Sequence, residues 1–312
     1  MSMLDTLLDR TVIPGYSKLG YRLRSRNWPD NDPARDALQG KTVVVTGARS
    51  GLGKATASGL AGLGATVHLV VRDAGKAAGA VADLRGEVPD ARFVVDECDI
   101  SDLDAVRRYA GGLSEPIHAL IHNAGVMPPK RTESPQGHEL TLATHVLGPL
   151  LLTELLKPLL VNGRVVFVAS GGMYTQQLPT DDPEYRHGTY RGATAYARSK
   201  RIQVALTPLL ATELAPTFVA TMHPGWSETP GLTDSLPGFT RLTKHLLRTP
   251  AEGADTTIWL AATEPKPPTG QFWHDREPRP THYLTRTQES EGDRRKIWAY
   301  CRAAAGIQPE AE

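Results

Sequence analysis

The sequence predicts an α/β protein built on one doubly wound parallel sheet. Short apolar runs such as Val43-Val44-Val45 and Thr66–Val71 have no polar face, as a strand buried on both sides requires. Stretches of helical period alternate with these runs. The first run passes through a glycine-rich turn directly into a helix, a junction at which such sheets bind anions.

Length and charge narrow the reading. The 312 residues suit one large domain rather than two. Lys plus Arg number 35 against 34 Asp plus Glu, so no basic excess points to nucleic acid. The two cysteines, Cys98 and Cys301, lie far apart and suggest a reducing compartment with neither a disulfide frame nor a Cys-based metal site. The N-terminal MSMLDTLLDR has acids where a signal peptide needs an unbroken apolar core. No apolar run approaches the length of a membrane span, and a cytoplasmic location is expected. Residues 1–39 read as an N-terminal arm ahead of a domain over residues 40–312. Its YSKLGYRLRSRNWP stretch interleaves aromatics with cations. That pattern suits an arm packed over the domain, which we favour, or peripheral contact with a membrane surface.

In chain order, the first strand ends at Thr46 and is followed by Gly47, Arg49, Ser50, Gly51, Leu52 and Gly53. Missing side chains and outward N–H groups at a helix start favour close approach of a pyrophosphate. The TGxxxGxG spacing resembles the short-chain dehydrogenase/reductase superfamily, and later motifs follow in that family's order. The resemblance implies a single Rossmann-type nucleotide-binding domain of about seven strands. The second strand closes on Val71 and Arg72, with no acid to bond the ribose hydroxyls. Two guanidiniums, Arg49 and Arg72, favour a 2′-phosphate, hence NADP over NAD. After the third strand, Asp99-Ile100 resembles the family's Asp-hydrophobic pair, whose carboxylate faces the adenine amino group. HALIHNAG, residues 118–125, reads as a fourth strand ending in Asn123-Ala124-Gly125, with His122 where the family has a first Asn.

Residues 136–160 show a long helical pattern containing Pro149. The resemblance places an Asn, here His145, at a locally opened turn whose carbonyl holds a water leading to the active lysine. Pro149 supplies no N–H to that carbonyl and crowds it, so the carbonyl of His145 is expected to be free. A fifth strand over 164–169 leads into Ser170, and residues 173–194 read as a flap. A helix over 193–214 follows, with Pro208 expected to bend or open it. A sixth strand over 217–222 leads into Pro224, Gly225 and Trp226, then a lid around 227–249. A helix over 251–263, a seventh strand over 270–273 and a last helix near 296–301 complete the reading.

Tyr196 and Lys200 lie four apart on one helical face. A neighbouring ammonium stabilises a phenolate and brings its pKa closer to neutrality. With Ser170 donating to a carbonyl oxygen, they suit proton transfer beside hydride transfer. The resemblance, which extends more loosely to retinol-dehydrogenase-like enzymes, implies an oxidoreductase interconverting a carbonyl and an alcohol. Its proline-glycine motif carries over onto Pro224, Gly225 and Thr229 as holders of the carboxamide. Met173, Tyr174 and Trp226 are expected to border the substrate, a small molecule of apolar, bulky character, with Leu232, Leu236 and Phe239 of the lid. No metal ion is expected, and a homo-oligomer is compatible with this reading. The alternative is an NADP(H)-binding protein without turnover, suggested by histidines at positions 122 and 145.

Overall fold

The structure, a computed structural model, describes residues 12–228, 243 and 245–308. Its strands are β1 (Thr42–Thr46), β2 (Thr66–Val71), β3 (Phe93–Glu97), β4 (Ala119–His122), β5 (Arg164–Val168), β6 (Phe218–Met222), β7 (Gln271–His274) and β8 (Glu277–Pro278). They form one sheet in the order β3-β2-β1-β4-β5-β6-β7-β8. Neighbours run parallel except β7 and β8. This is the doubly wound sheet the sequence predicts, with one strand more than the expected seven. The addition, β8, is a two-residue antiparallel return containing a proline, and so leaves no apolar run to read.

The unbroken apolar strands are explained by the two cores. Val44, Leu120, Val165 and Val219 point to one face, where α5 (Leu103–Gly111), α7 (Gly148–Leu156), α8 (Gly192–Glu213) and α10 (Glu291–Ala305) pack. Val43, Val45, Ile121, Val166 and Ala220 point to the other, beneath α3 (Gly51–Gly62), α4 (Ala78–Glu87) and α9 (Pro250–Ala262). Alternate residues of a strand face opposite sides, so a strand covered on both faces is apolar throughout. Each such Val or Leu contributes about 1.5–3 kcal/mol by burial. The chain leaves β1 toward β2 on one side and β4 lies on the other, so a crevice opens beyond Thr46 and His122.

Before the sheet come α1 (Val12–Tyr16) and α2 (Lys18–Ser25). Tyr16 and Arg24 turn inward, while Leu19 and Leu23 are exposed near Lys18, Arg22 and Arg26. Trp28 stacks under Arg276 at 4.2 Å, and Asp32 accepts from Trp259 Nε1 at 2.7 Å. The segment is therefore tied to α9 and the β7–β8 turn.

The long helix begins later than its sequence pattern, at α6 (Leu140–Leu142), where the Glu139 carboxylate caps the N–H groups of Thr141 and Leu142. One turn, Ala143–Leu147, is a π-helix, with Gly148 N–H donating to Ala143 O. Residues Leu140–Leu159 are apolar and long enough to cross a membrane, but most of this stretch is buried in the fold. By contrast, α8 continues through Pro208 without interruption. The flap is anchored rather than loose. Its Glu184 carboxylate is buried and accepts from Glu139 N at 2.7 Å and Tyr300 Oη at 2.6 Å, with His138 Nδ1 at 2.8 Å. Of the expected lid, residues 229–242 and 244 lie outside the described residues.

Candidate active site

The crevice at the end of β1 is built around small residues. Gly47 and Gly51 have φ of +68° and +54°, which side chains disfavour. A Cβ at Gly47 would lie 2.7 Å from Ala124 Cα, and one at Gly53 would collide with the Gly47 carbonyl and the Asn123 amide. Asn123 braces the turn by donating from Nδ2 to Thr46 O at 3.0 Å and Gly47 O at 3.3 Å. Thr46 Oγ1 accepts the N–H groups of Asn123 and Ala124 at 3.0 and 3.1 Å. Ser50, the N-cap of α3, makes no side-chain capping bond, and the first turn carries no acid. Its amides and dipole are thus aimed at the crevice, a cradle that fits a dinucleotide's pyrophosphate.

Around the cradle, Arg49 and Arg72 are both exposed, at the ends of adjacent strands β1 and β2. Leu52 is partly buried at the start of α3. Asp99 Oδ1 accepts from Ser101 N and Oγ at 2.9 and 2.7 Å, which fixes the carboxylate. Ile100 is buried in the core, with its carbonyl and side chain against Gly148.

Beyond β5, the Ser170 hydroxyl caps the following 3₁₀ turn, accepting Gly172 N at 3.2 Å, and neighbours the Tyr196 phenol. The helical spacing of Tyr196 and Lys200 sets both on the face of α8 toward this loop. Lys200 is buried, donates to Val168 O at 2.7 Å, and lies 5.5 Å from the Tyr196 ring centre. Burial pushes its ammonium down from 10.5 to about 7. Burial raises the Tyr196 phenol, with Ser170 opposing the rise. Burial is the dominant influence on the phenol, and Lys200 directs its ammonium to a backbone carbonyl.

His145 requires a larger correction. The helix opens at the π turn, yet the His145 carbonyl is not free: Gln203 Nε2 donates to it at 2.6 Å. A protein donor thus occupies the place expected for a water leading from Lys200, and that expectation is overturned. The sequence pattern could not show that Gln203, on another helix, reaches this carbonyl. Both ring nitrogens are also engaged. Val126 N donates to Nε2 at 3.0 Å, so Nδ1 carries the proton and donates to Ser199 Oγ at 2.7 Å. Ser199 in turn donates to Tyr196 O at 2.7 Å. Burial holds the imidazole neutral, well below its ordinary pKa. His145 therefore ties the Asn123–Val126 loop to the Tyr196 turn, and Gly125 lets the backbone pass its ring. His122 is also structural: it is stacked on Phe167 at 4.6 Å, paired with Thr153, and pushed down to about 3 by burial.

Of the expected substrate residues, two face away. Met173 is fully buried with its sulfur accepting from Arg201 at 3.2 Å, and Tyr174 is buried with its hydroxyl donating to Pro280 O at 2.7 Å. Both fasten the Ser170 loop to the body. Trp226 remains partly exposed beside Pro224 and Gly225, and Thr229 lies outside the described residues. Gly225 has φ +70°, and a Cβ there would lie 2.5 Å from Arg248 Nε and 2.6 Å from Tyr16 O. Sequence reasoning did not place Tyr16, Arg248 or Asp275 near the site. Only the aromatic and cationic character of the arm hinted at packing there.

The short chain dehydrogenase family pattern matches residues 41–237. Dehydrogenase/reductase SDR family member 12 of Bos taurus is 39% identical over 290 residues, covering 90% of this chain and 91% of that protein. Retinol dehydrogenase 12 of Homo sapiens is 35% identical over 249 residues, covering 76% and 78%. A solved structure of a protein from Mycobacterium Paratuberculosis superposes with TM-score 0.69 at 31% identity, over 86% of this chain and 94% of that one.

Proposed function

The chain belongs to the short chain dehydrogenase family, and we propose that it is an NADP(H)-dependent enzyme in which Tyr196 moves the proton. Members are oxidoreductases that bind NAD(P) and act between alcohol and carbonyl groups. A bound nicotinamide dinucleotide supplies or accepts the hydride. The glycine cradle, Asn123, Lys200 and Pro224–Gly225 are the groups that would hold it. The preference for NADP is supported by exposed Arg49 and Arg72 at the rim and the absence of an acid at position 71.

The observation that carries the reading is Tyr196 and buried Lys200 on one face of α8 beside the Ser170 loop, with Lys200 Nζ 5.5 Å from the Tyr196 ring centre. In reduction, Ser170 donates a hydrogen bond to the substrate oxygen and Tyr196 gives it a proton. Lys200, near neutrality by burial, is suited to return that proton to the phenolate. In oxidation the proton moves the other way. An apolar substrate is supported by Trp226 at the edge of the site. The outward Leu19 and Leu23, near Lys18, Arg22 and Arg26, suit peripheral contact with an anionic membrane.

The test is a panel of aldehydes, ketones, retinoids and steroids followed at the absorbance of the reduced nicotinamide, with NADPH and NADH in parallel. Turnover of an apolar carbonyl with NADPH is the expected result. Silence across the panel, or equal use of both cofactors, would count against it.

A further inference from the structure

We infer that the N-terminal arm is a working part of the site: Tyr16, clamped by Arg24, Asp275 and Arg248, positions the nicotinamide end. This rests on the dinucleotide reading above. The Pro224–Trp226 segment, which would hold the carboxamide, is covered on its outer side by the arm rather than by the sheet and its helices. Trp226 N donates to Tyr16 O at 2.8 Å. The Tyr16 ring is buried edge-on against His223 and His274, with centres 4.5 and 5.2 Å apart, and 6.5 Å from Trp226. It also reaches the catalytic loop, since a Cβ at Gly171 would lie 2.7 Å from Tyr16 Cε2. One side chain from the arm thus touches both Gly171, next to Ser170, and the segment after β6.

A buried charge cluster holds the arm there. Asp275 accepts from Arg24 Nη1 at 2.7 Å and from Arg248 Nη1 and Nη2 at 2.5 and 2.8 Å. Arg24 comes from the arm, Arg248 from the C-terminal end of the expected lid, and Asp275 from the β7–β8 turn. The two cations are further solvated by arm carbonyls: Gly15 O accepts from Arg24 at 2.9 Å and from Arg248 at 3.2 Å, and Ser17 O accepts from Arg248 at 3.3 Å. Arg248 also closes the base of the 226–248 segment, because Arg248 N donates to Trp226 O at 2.7 Å and Glu228 N to Arg248 O at 2.9 Å. Buried ions held by several partners have one well-defined arrangement. The arm, the base of that segment and the Ser170 loop therefore keep a common register, with Tyr16 at their meeting point.

The experiment compares two probes on the full chain and its Tyr16→Ala variant. NADP⁺ spans the whole site, whereas 2′,5′-ADP lacks the nicotinamide end. The expected result is NADP⁺ affinity weakened at least about tenfold, with kcat reduced by a similar factor and 2′,5′-ADP affinity unchanged. Tyr16→Leu, which keeps apolar volume, should show the same selective loss if the alanine variant does not fold. Equal loss of both probes, or no loss of either, would overturn the assignment while leaving the cofactor reading intact. A wild-type chain that binds neither probe would overturn both.

Discussion

Lys200 is placed where an ammonium is poorly tolerated, so removing its charge should stabilise the fold while disabling the site. The unfolded chain keeps this proton up to 10.5, whereas the folded chain releases it near 7. Between these values the unfolded state binds more protons, so stability rises with pH through that window. At about 1.4 kcal/mol per tenfold change, the full penalty is about 5 kcal/mol well below neutrality. Lys200→Met conserves volume but leaves the Val168 carbonyl without its donor, which costs about 1–3 kcal/mol. At about pH 6 the variant should therefore be the more stable by about 2–4 kcal/mol. By about pH 9 the two proteins should be nearly equal, since wild type recovers about 2–3 kcal/mol over that range. Urea unfolding followed by tryptophan fluorescence at several pH values measures both. Parallel stability profiles for wild type and variant would refute the reasoning.

Three further outcomes are expected. Arg72→Ala should weaken NADPH binding at least about tenfold, with NADH affinity unaltered, in a fluorescence titration; a charge-assisted bond of about 1.5–3 kcal/mol predicts that scale. Gly53→Ala should lower dinucleotide affinity by at least about tenfold in the same titration, because its methyl group would strike the Gly47 carbonyl and displace the Asn123 brace. Ser199→Ala should leave the His145 Nδ1–H buried without an acceptor and cost about 1–3 kcal/mol by urea unfolding. An unchanged midpoint would show that the His145–Ser199–Tyr196 chain does not hold the catalytic turn.

The central sheet was legible because strands covered on both faces must be apolar throughout, and each run had turn residues at its ends. The glycine cradle was legible for a related reason: a close backbone approach admits few residue types. Orientation was harder to read. Met173 and Tyr174 have the apolar character of substrate-facing residues, but identity does not say which way a side chain turns, and both turn inward. Pro149 pointed to an opened helix, yet the fate of the His145 carbonyl depended on Gln203, far away in sequence. The clamp on the arm was hidden for the same reason. Its Gly15 and Ser17 contacts run through backbone carbonyls, which leave no mark on residue type.

The account is tested most directly at the Tyr196 hydroxyl. In Tyr196→Phe the ring stays, so the shape of the site is kept and only the proton donor is lost. With a carbonyl substrate from the panel, kcat should fall by about 10²–10⁴-fold while NADPH affinity stays within about twofold. A Tyr196→Phe enzyme that turns over at the wild-type rate would contradict the assignment of Tyr196 as the proton donor.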